Sequence, residues 1–306
     1  MACYALVRWL DGTSMDSNEQ NHTIILEDGR RLGLAEYGVS GGQPVFYFHG
    51  SGGSRLEHPL DQDILTQLKI RFISVDRPGN GLSDFQAERR LIGWAKDLIQ
   101  LADNLRTERF YVVGHSAGGP HVLACAHQLP EQIIAGAVIS SVAPMNRPHA
   151  YQGMPLLNQL LARSARHSSV LVKLIRWMMR RMVMGDPEKS SKALMSSIPD
   201  VDKSILYEPQ NAESFVNTVR EGFRYGSSGV AQDDILINRD WGFDIAEIKP
   251  HIDIWHGKKD VNVPMNAAQY LCDKLPHARK IFLPSEGHFF LLKYWGKILS
   301  TLVYHD

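Results

Sequence analysis

The chain has 306 residues, enough for two ordinary domains or for one large α/β domain carrying an insertion. Its 33 basic and 33 acidic residues cancel, which leaves no positive excess to neutralise a phosphate backbone and excludes nucleic acid as a main partner. With 44% hydrophobic residues, 22% charged residues and no apolar run near the ~18 residues that cross a bilayer, the composition is that of a globular protein without an integral membrane segment.

Residues 1–20 read as a loosely ordered leader. The apolar run Ala2 to Val7 is cut short by Arg8, no positive charge precedes it and no small-residue cleavage site follows, so it does not read as an export signal. Cys3, Cys125 and Cys272 are odd in number and far apart, which fits free thiols in a reducing compartment and an expected cytoplasmic location.

From His22 onward, strand-like runs alternate with helix-like stretches, the pattern of a mostly parallel sheet flanked by helices. Two short strands, Thr23 to Leu26 and Leu32 to Tyr37, open it around the turn residues Asp28-Gly29. Pro44 to Phe48 is a continuous apolar run, and it and Ile70 to Val75 both end in glycine-bearing loops, as buried strands do. Leu91 to Leu105 has helical spacing, Phe110 to Val113 is again a strand, a helix follows to about Leu129, and Ile133 to Ser141 is the next strand. The alternation then stops from about Met145 to Asn238, where the periodicity is helical with no convincing strand. It resumes with His251 to Trp255, Arg279 to Leu283 and a closing helix through Leu302. The expected organisation is a core of residues 21–144 and 239–306 around a helical cap insertion of residues 145–238. Within the insertion Lys173, Arg176 and Arg180 share one helical face, and Leu171, Leu174, Ile175, Met178, Met179 and Met182 form another. The expectation is that this apolar face packs on the sheet domain; a methionine-floored acyl pocket and a membrane-associating surface are the alternatives.

Gly-x-Ser-x-Gly occurs twice, at Gly38 to Gly42 and at Gly114 to Gly118. The pattern has mechanical meaning only where a strand turns sharply into a helix and leaves the serine oxygen exposed at the sheet edge. Ser40 lies between two strands and reads as a turn residue, whereas Ser116 follows a strand and precedes a helix, and is the candidate nucleophile. A serine hydroxyl needs a base, and the base needs a group that fixes its tautomer. Both follow late in the chain, Asp260 in the loop after one buried strand and His288 in the loop after the last. Asp244 and Asp240 are weaker candidates for the acid because they precede the strand. The oxyanion of an acyl-transfer reaction needs donors already aimed at it. The amide of Ala117 is one candidate; the second is the amide of Ser51 in the loop His49 to Gly53, with Gly52 as fallback. A phosphate-binding loop does not fit there, since Arg55 stands where a dinucleotide fingerprint needs its last glycine. No metal-ligand pattern occurs, and His121 and His127 fall on opposite faces of one helix, so no cofactor or metal is expected.

These motifs together resemble an α/β-hydrolase, similar to the esterase, lipase and peptidase-like members that carry a helical cap. The resemblance rests on His49-Gly-Ser-Gly-Gly53, on Asp76-Arg-Pro-Gly-Asn-Gly-Leu-Ser-Asp84, on the turn around Ser116 and on the loops holding Asp260 and His288. Asp76 and Ser83 read as residues that tie loops rather than react. The resemblance implies a cofactor-free serine hydrolase acting on a small-molecule carboxylic ester. The alternatives are the same triad applied to a carbon–carbon, lactone or amide bond or to acyl transfer, and a non-catalytic ligand-binding member of the fold. A homodimer stays open.

Overall fold

The computed structural model describes residues 20–147 and 149–304. The strands are β1 (Gln20–Ile25), β2 (Arg31–Gly38), β3 (Gln43–Phe48), β4 (Ile70–Val75), β5 (Phe110–His115), β6 (Ile133–Ile139), β7 (His251–Gly257) and β8 (Ala278–Leu283). They form one eight-stranded sheet in the order β1-β2-β4-β3-β5-β6-β7-β8, in which β2 is antiparallel to its neighbours β1 and β4 and β3 to β8 are parallel. The apolar runs of β3, β5 and β6 follow from burial on both sheet faces, which removes any reason for polar alternation.

The helices are α1 (Gln62–Gln67), α2 (Trp94–Asn104), α3 (Gly119–Gln128), α4 (Leu156–His167), α5 (Ser169–Val183), α6 (Pro187–Ser196), α7 (Asp200–Leu206), α8 (Pro209–Gly222), α9 (Ser228–Asn238), α10 (Met265–Lys274) and α11 (Leu291–Tyr304). One sheet face is covered by α2, α3 and α10, through residues such as Leu98, Val122 and Leu271, and the other by α1 and α11, through Leu65, Trp295 and Leu299. Parallel register sets β5 between β3 and β6, with Phe48 beside Gly114 and His115 beside Ile139. The loops that leave these strands therefore emerge side by side at one edge of the sheet.

Between β6 and β7 the described residues form six helices, α4 to α9, and no strand. Here α5 departs from expectation. Its buried residues are Val172 and Val183, and Arg176 and Arg180 point inward, to Asp234 and to the Phe223 carbonyl. Leu171, Leu174, Met178 and Met182, expected to pack on the sheet domain, are exposed. Both stripes of the helix are amphipathic, so periodicity identifies them without saying which turns inward. The leader expected over residues 1–20 lies outside the described residues except for Gln20, which opens β1.

Candidate active site

At the end of β5 the chain reverses into α3 through a single 3-10 turn, Ser116–Gly118. Ser116 itself has φ of +53°, a left-handed conformation that costs a non-glycine residue on the order of 1–3 kcal/mol and persists only where its surroundings enforce it. The flanking glycines enforce it by close approach. A Cβ on Gly114 would sit 2.5 Å from the Gly118 carbonyl oxygen, and one on Gly118 would run into the carbonyl group of Phe48 at the end of β3. By contrast, Ser40 lies in the exposed turn between β2 and β3.

Asp260 and His288 meet. The His288 ring Nδ1 and the Asp260 Oδ2 are 2.7 Å apart, and both side chains are buried. The second carboxylate oxygen of Asp260 accepts the amides of Asn262 and Val263, which fixes its plane. Burial alone would depress His288, but the charge and hydrogen bond of Asp260 outweigh it and raise the imidazole above its ordinary value. Burial likewise would raise Asp260, and His288 outweighs it in the opposite sense, so the carboxyl is held below its usual range. The two loops abut, since a Cβ on Gly257 would fall 2.7 Å from the Glu286 carbonyl carbon and Lys259 donates its amide to Glu286. Asp240 and Asp244 instead accept the amides of Gly242 and Ala246 in their own turns, away from His288.

Ser116 joins this pair through its neighbour: the His115 ring lies 5.0 Å from the His288 ring, centroid to centroid, and faces the His288 carbonyl at 3.3 Å. No hydrogen bond links the Ser116 hydroxyl to His288; such contacts in unliganded sites commonly tighten only around substrate. Ser116, Ala117 and Ser51 line one cavity of about 210 Å³, together with apolar side chains such as Met145, Leu161, Val172 and Ile175. Gly52 does not line it. The Ser51 hydroxyl donates to Asp234 at 2.9 Å and receives Arg176, which is itself bound to the same carboxylate at 2.5 Å.

Four residues that sequence reasoning did not single out hold these parts in place. Arg77 donates its guanidinium to the carbonyls of His49 and Gly50. Because a trans peptide sets N–H opposite C=O, the amide of Ser51 faces away from Arg77. Asp233, fully buried on α9, receives Arg77 at 2.9 Å, Arg89 and Asn80. Burial would raise its carboxyl, yet the two guanidiniums hold it well below the usual carboxylate range. Glu57 accepts Tyr47 at 2.6 Å, the Gly50 amide and His115 at 2.8 Å; burial opposes its charge, but His115 brings its carboxyl down to about 2. Asp202, buried on α7, accepts the amides of His288 at 3.1 Å and Phe289 at 2.9 Å. Asp76 and Ser83 do tie loops: Asp76 accepts the amides of Arg55 and Leu82, and the Ser83 hydroxyl bridges the Asp76 carbonyl and the Gly33 amide. Among the described residues no group of His, Cys, Asp and Glu is arranged to hold a metal ion.

The sequence model described as alpha/beta hydrolase fold matches residues 43–293. The chain belongs to the α/β-hydrolase family. An uncharacterized hydrolase of Bacillus subtilis is 30% identical over 33% of this α/β-hydrolase, which spans 36% of that relative's length. A 2-hydroxy-6-oxononadienedioate/2-hydroxy-6-oxononatrienedioate hydrolase of Paraburkholderia phymatum is 25% identical, with 90% of this chain and 92% of the relative covered. Among solved structures, an esterase from Exiguobacterium antarcticum superposes with a TM-score of 0.67 at 20% identity, covering 94% of this chain and 99% of the other. The eight-stranded, mostly parallel sheet is the fold that this family carries.

Proposed function

We propose that this α/β-hydrolase is a serine hydrolase of carboxylic esters. The carrying observation is a strained serine at a strand-to-helix turn that lines one apolar cavity with two residues whose amides can receive an oxyanion. Ser116 Oγ attacks the acyl carbonyl while His288 takes its proton, and His288 returns that proton to the departing alcohol. Asp260 holds the His288 tautomer, and the Ala117 and Ser51 amides receive the charge on the carbonyl oxygen. Water, deprotonated by His288, then releases the acid from Ser116. The helices α4 to α9 act as a cap, and the cavity suits an acyl group of small to medium size.

A second reading, cleavage of a substrate bearing a carboxylate, draws on the dicarboxylate for which the Paraburkholderia relative is named and on Arg176 in the cavity wall. Against it, Asp234 already neutralises Arg176, so a substrate carboxylate would have to displace a bound partner. The experiment is a p-nitrophenyl ester series from acetate to palmitate, run beside lactones, amides and dicarboxylic substrates, with wild type and Ser116→Ala. Ester turnover that vanishes in Ser116→Ala is expected. Ester turnover that survives it refutes the mechanism, and labelling of Ser116 by a fluorophosphonate without ester turnover moves the substrate to the second reading.

A further inference from the structure

The α5 helix has two unlike faces. Inward it presents Val172, Ile175 and Arg176 to the cavity. Outward, at spacings of four, seven, eight and twelve residues, it presents Val170, Leu174, Trp177, Met178 and Met182, which are 42% to 76% exposed. The neighbouring helix α4, packed against it, exposes Leu156 and Leu160. Single exposed apolar side chains are ordinary, but a run of this size on one helix face marks a surface that meets something else.

Charge identifies the occupant. Arg163, Lys173 and Arg181 are exposed on the same two helices, with Arg181 set over the Trp177 ring at 5.2 Å, and no acidic residue occurs between Arg163 and Val183. Two copies of this chain meeting face to face would bring these cations together with no carboxylate in the stretch to offset them. A surface rich in anionic headgroups offers the opposite charge to the basic residues and an apolar layer to the rest, and a tryptophan beside an arginine suits that boundary. Among the described residues no helix is long and apolar enough to cross a membrane, so contact is peripheral. We infer that the outer face of α5 docks this protein on anionic lipid surfaces. The inference goes beyond the ester-hydrolase reading and stands whether or not Ser116 reacts.

The test is co-sedimentation of the full chain with vesicles of phosphatidylcholine alone and of phosphatidylcholine mixed with phosphatidylglycerol. Sedimentation with the anionic vesicles only is expected, weakening as salt rises through the range where the screening length falls from about 10 to about 3 Å. Each basic side chain near such a surface contributes about fivefold in partitioning, so Lys173→Ser/Arg181→Ser loses roughly 25-fold. Leu174→Glu/Trp177→Glu abolishes binding while circular dichroism and melting temperature stay at wild-type values. Because the other four described tryptophans are buried, the fluorescence shift on vesicle binding that disappears in Trp177→Phe reports this face directly. Failure to sediment with either vesicle, equal sedimentation with neutral vesicles, or unimpaired binding by Leu174→Glu/Trp177→Glu overturns the inference. So does a dimer in analytical ultracentrifugation that the same double substitution dissolves, which assigns the face to a second copy instead.

Discussion

Gly118→Ala isolates one requirement of the turn, because Gly118 has φ of −73°, where alanine is at ease. Any cost is then steric. The new methyl would lie 2.8 Å from the Phe48 carbonyl carbon and 3.0 Å from the His49 oxygen, and nearer still to the Phe48 oxygen. Ordinary carbon contacts begin several tenths of an ångström farther out, and the obstacle is backbone, which cannot rotate aside as a side chain does. Phe48 pairs with Val75 on one side and Gly114 on the other, so β3 cannot yield alone. Overpacking a rigid site of this kind costs about 3 kcal/mol, the upper part of its usual range, and in a chain of this size lowers the melting temperature by roughly 5 °C. The displaced parts are the Ala117 amide and the loop that carries Ser51, so turnover falls even in the fraction that remains folded. Differential scanning calorimetry with ester kinetics measures both effects, and Gly41→Ala, where a Cβ meets nothing within 4 Å, is the neutral control. A Gly118→Ala protein with the melting temperature and activity of wild type would refute the reasoning.

Other perturbations test the supports of the site. Since His288 is held above its ordinary value and acts as a neutral base, kcat/KM should rise with pH and reach half its plateau above 6.5. Asp260→Asn should move that midpoint down and slow turnover by about 10⁴-fold, and an unchanged midpoint would mean that Asp260 does not set it. Asp202→Ala leaves the buried amide of His288 and the half-buried amide of Phe289 without an acceptor, at about 1–3 kcal/mol for the buried one; kcat should fall more than KM rises, and Asp202→Glu should recover part of it. Asp233→Ala strands two buried guanidiniums, Arg77 and Arg89, and should lower stability by about 3–5 kcal/mol in a denaturant titration; a loss under 1 kcal/mol would show that the cluster relaxes around the gap.

What the sequence made legible was local. The β3, β5 and β6 runs could be read because burial on both faces writes an uninterrupted apolar word, and Ser116 because a glycine-flanked serine follows one such run and precedes a helix, although the contact that forces Gly118 lies on distant β3. The loop positions of Asp260 and His288 followed from strand ends in the same way. Asp202 and Asp233 could not be read, since each meets its partners across 86 to 156 residues and sits in a helix with nothing unusual in its spacing. Arg77 had one signal, the segment from Asp76 to Asp84 on which the family resemblance partly rested. The outward turn of α5 was illegible for a different reason: both faces carry apolar residues and cations, and the acceptors that draw one inward, Asp234 and the Phe223 carbonyl, lie 43 to 58 residues farther along the chain.

The tie between Asp233 and Arg77 also limits how the protein can be rebuilt. An engineer who exchanges the helical segment for that of a relative, to change what the cavity accepts, would treat β6 and β7 as natural splice points. Such a chimera discards α9 and with it the counter-ion of a guanidinium that stays behind in the core, beneath the loop at Ser51. It also discards Asp202, on which the chain at His288 rests. The portable unit is shorter than the segment: grafts confined to α4 through α6 keep both carboxylates, and any longer graft must carry an acidic residue at each of those two places.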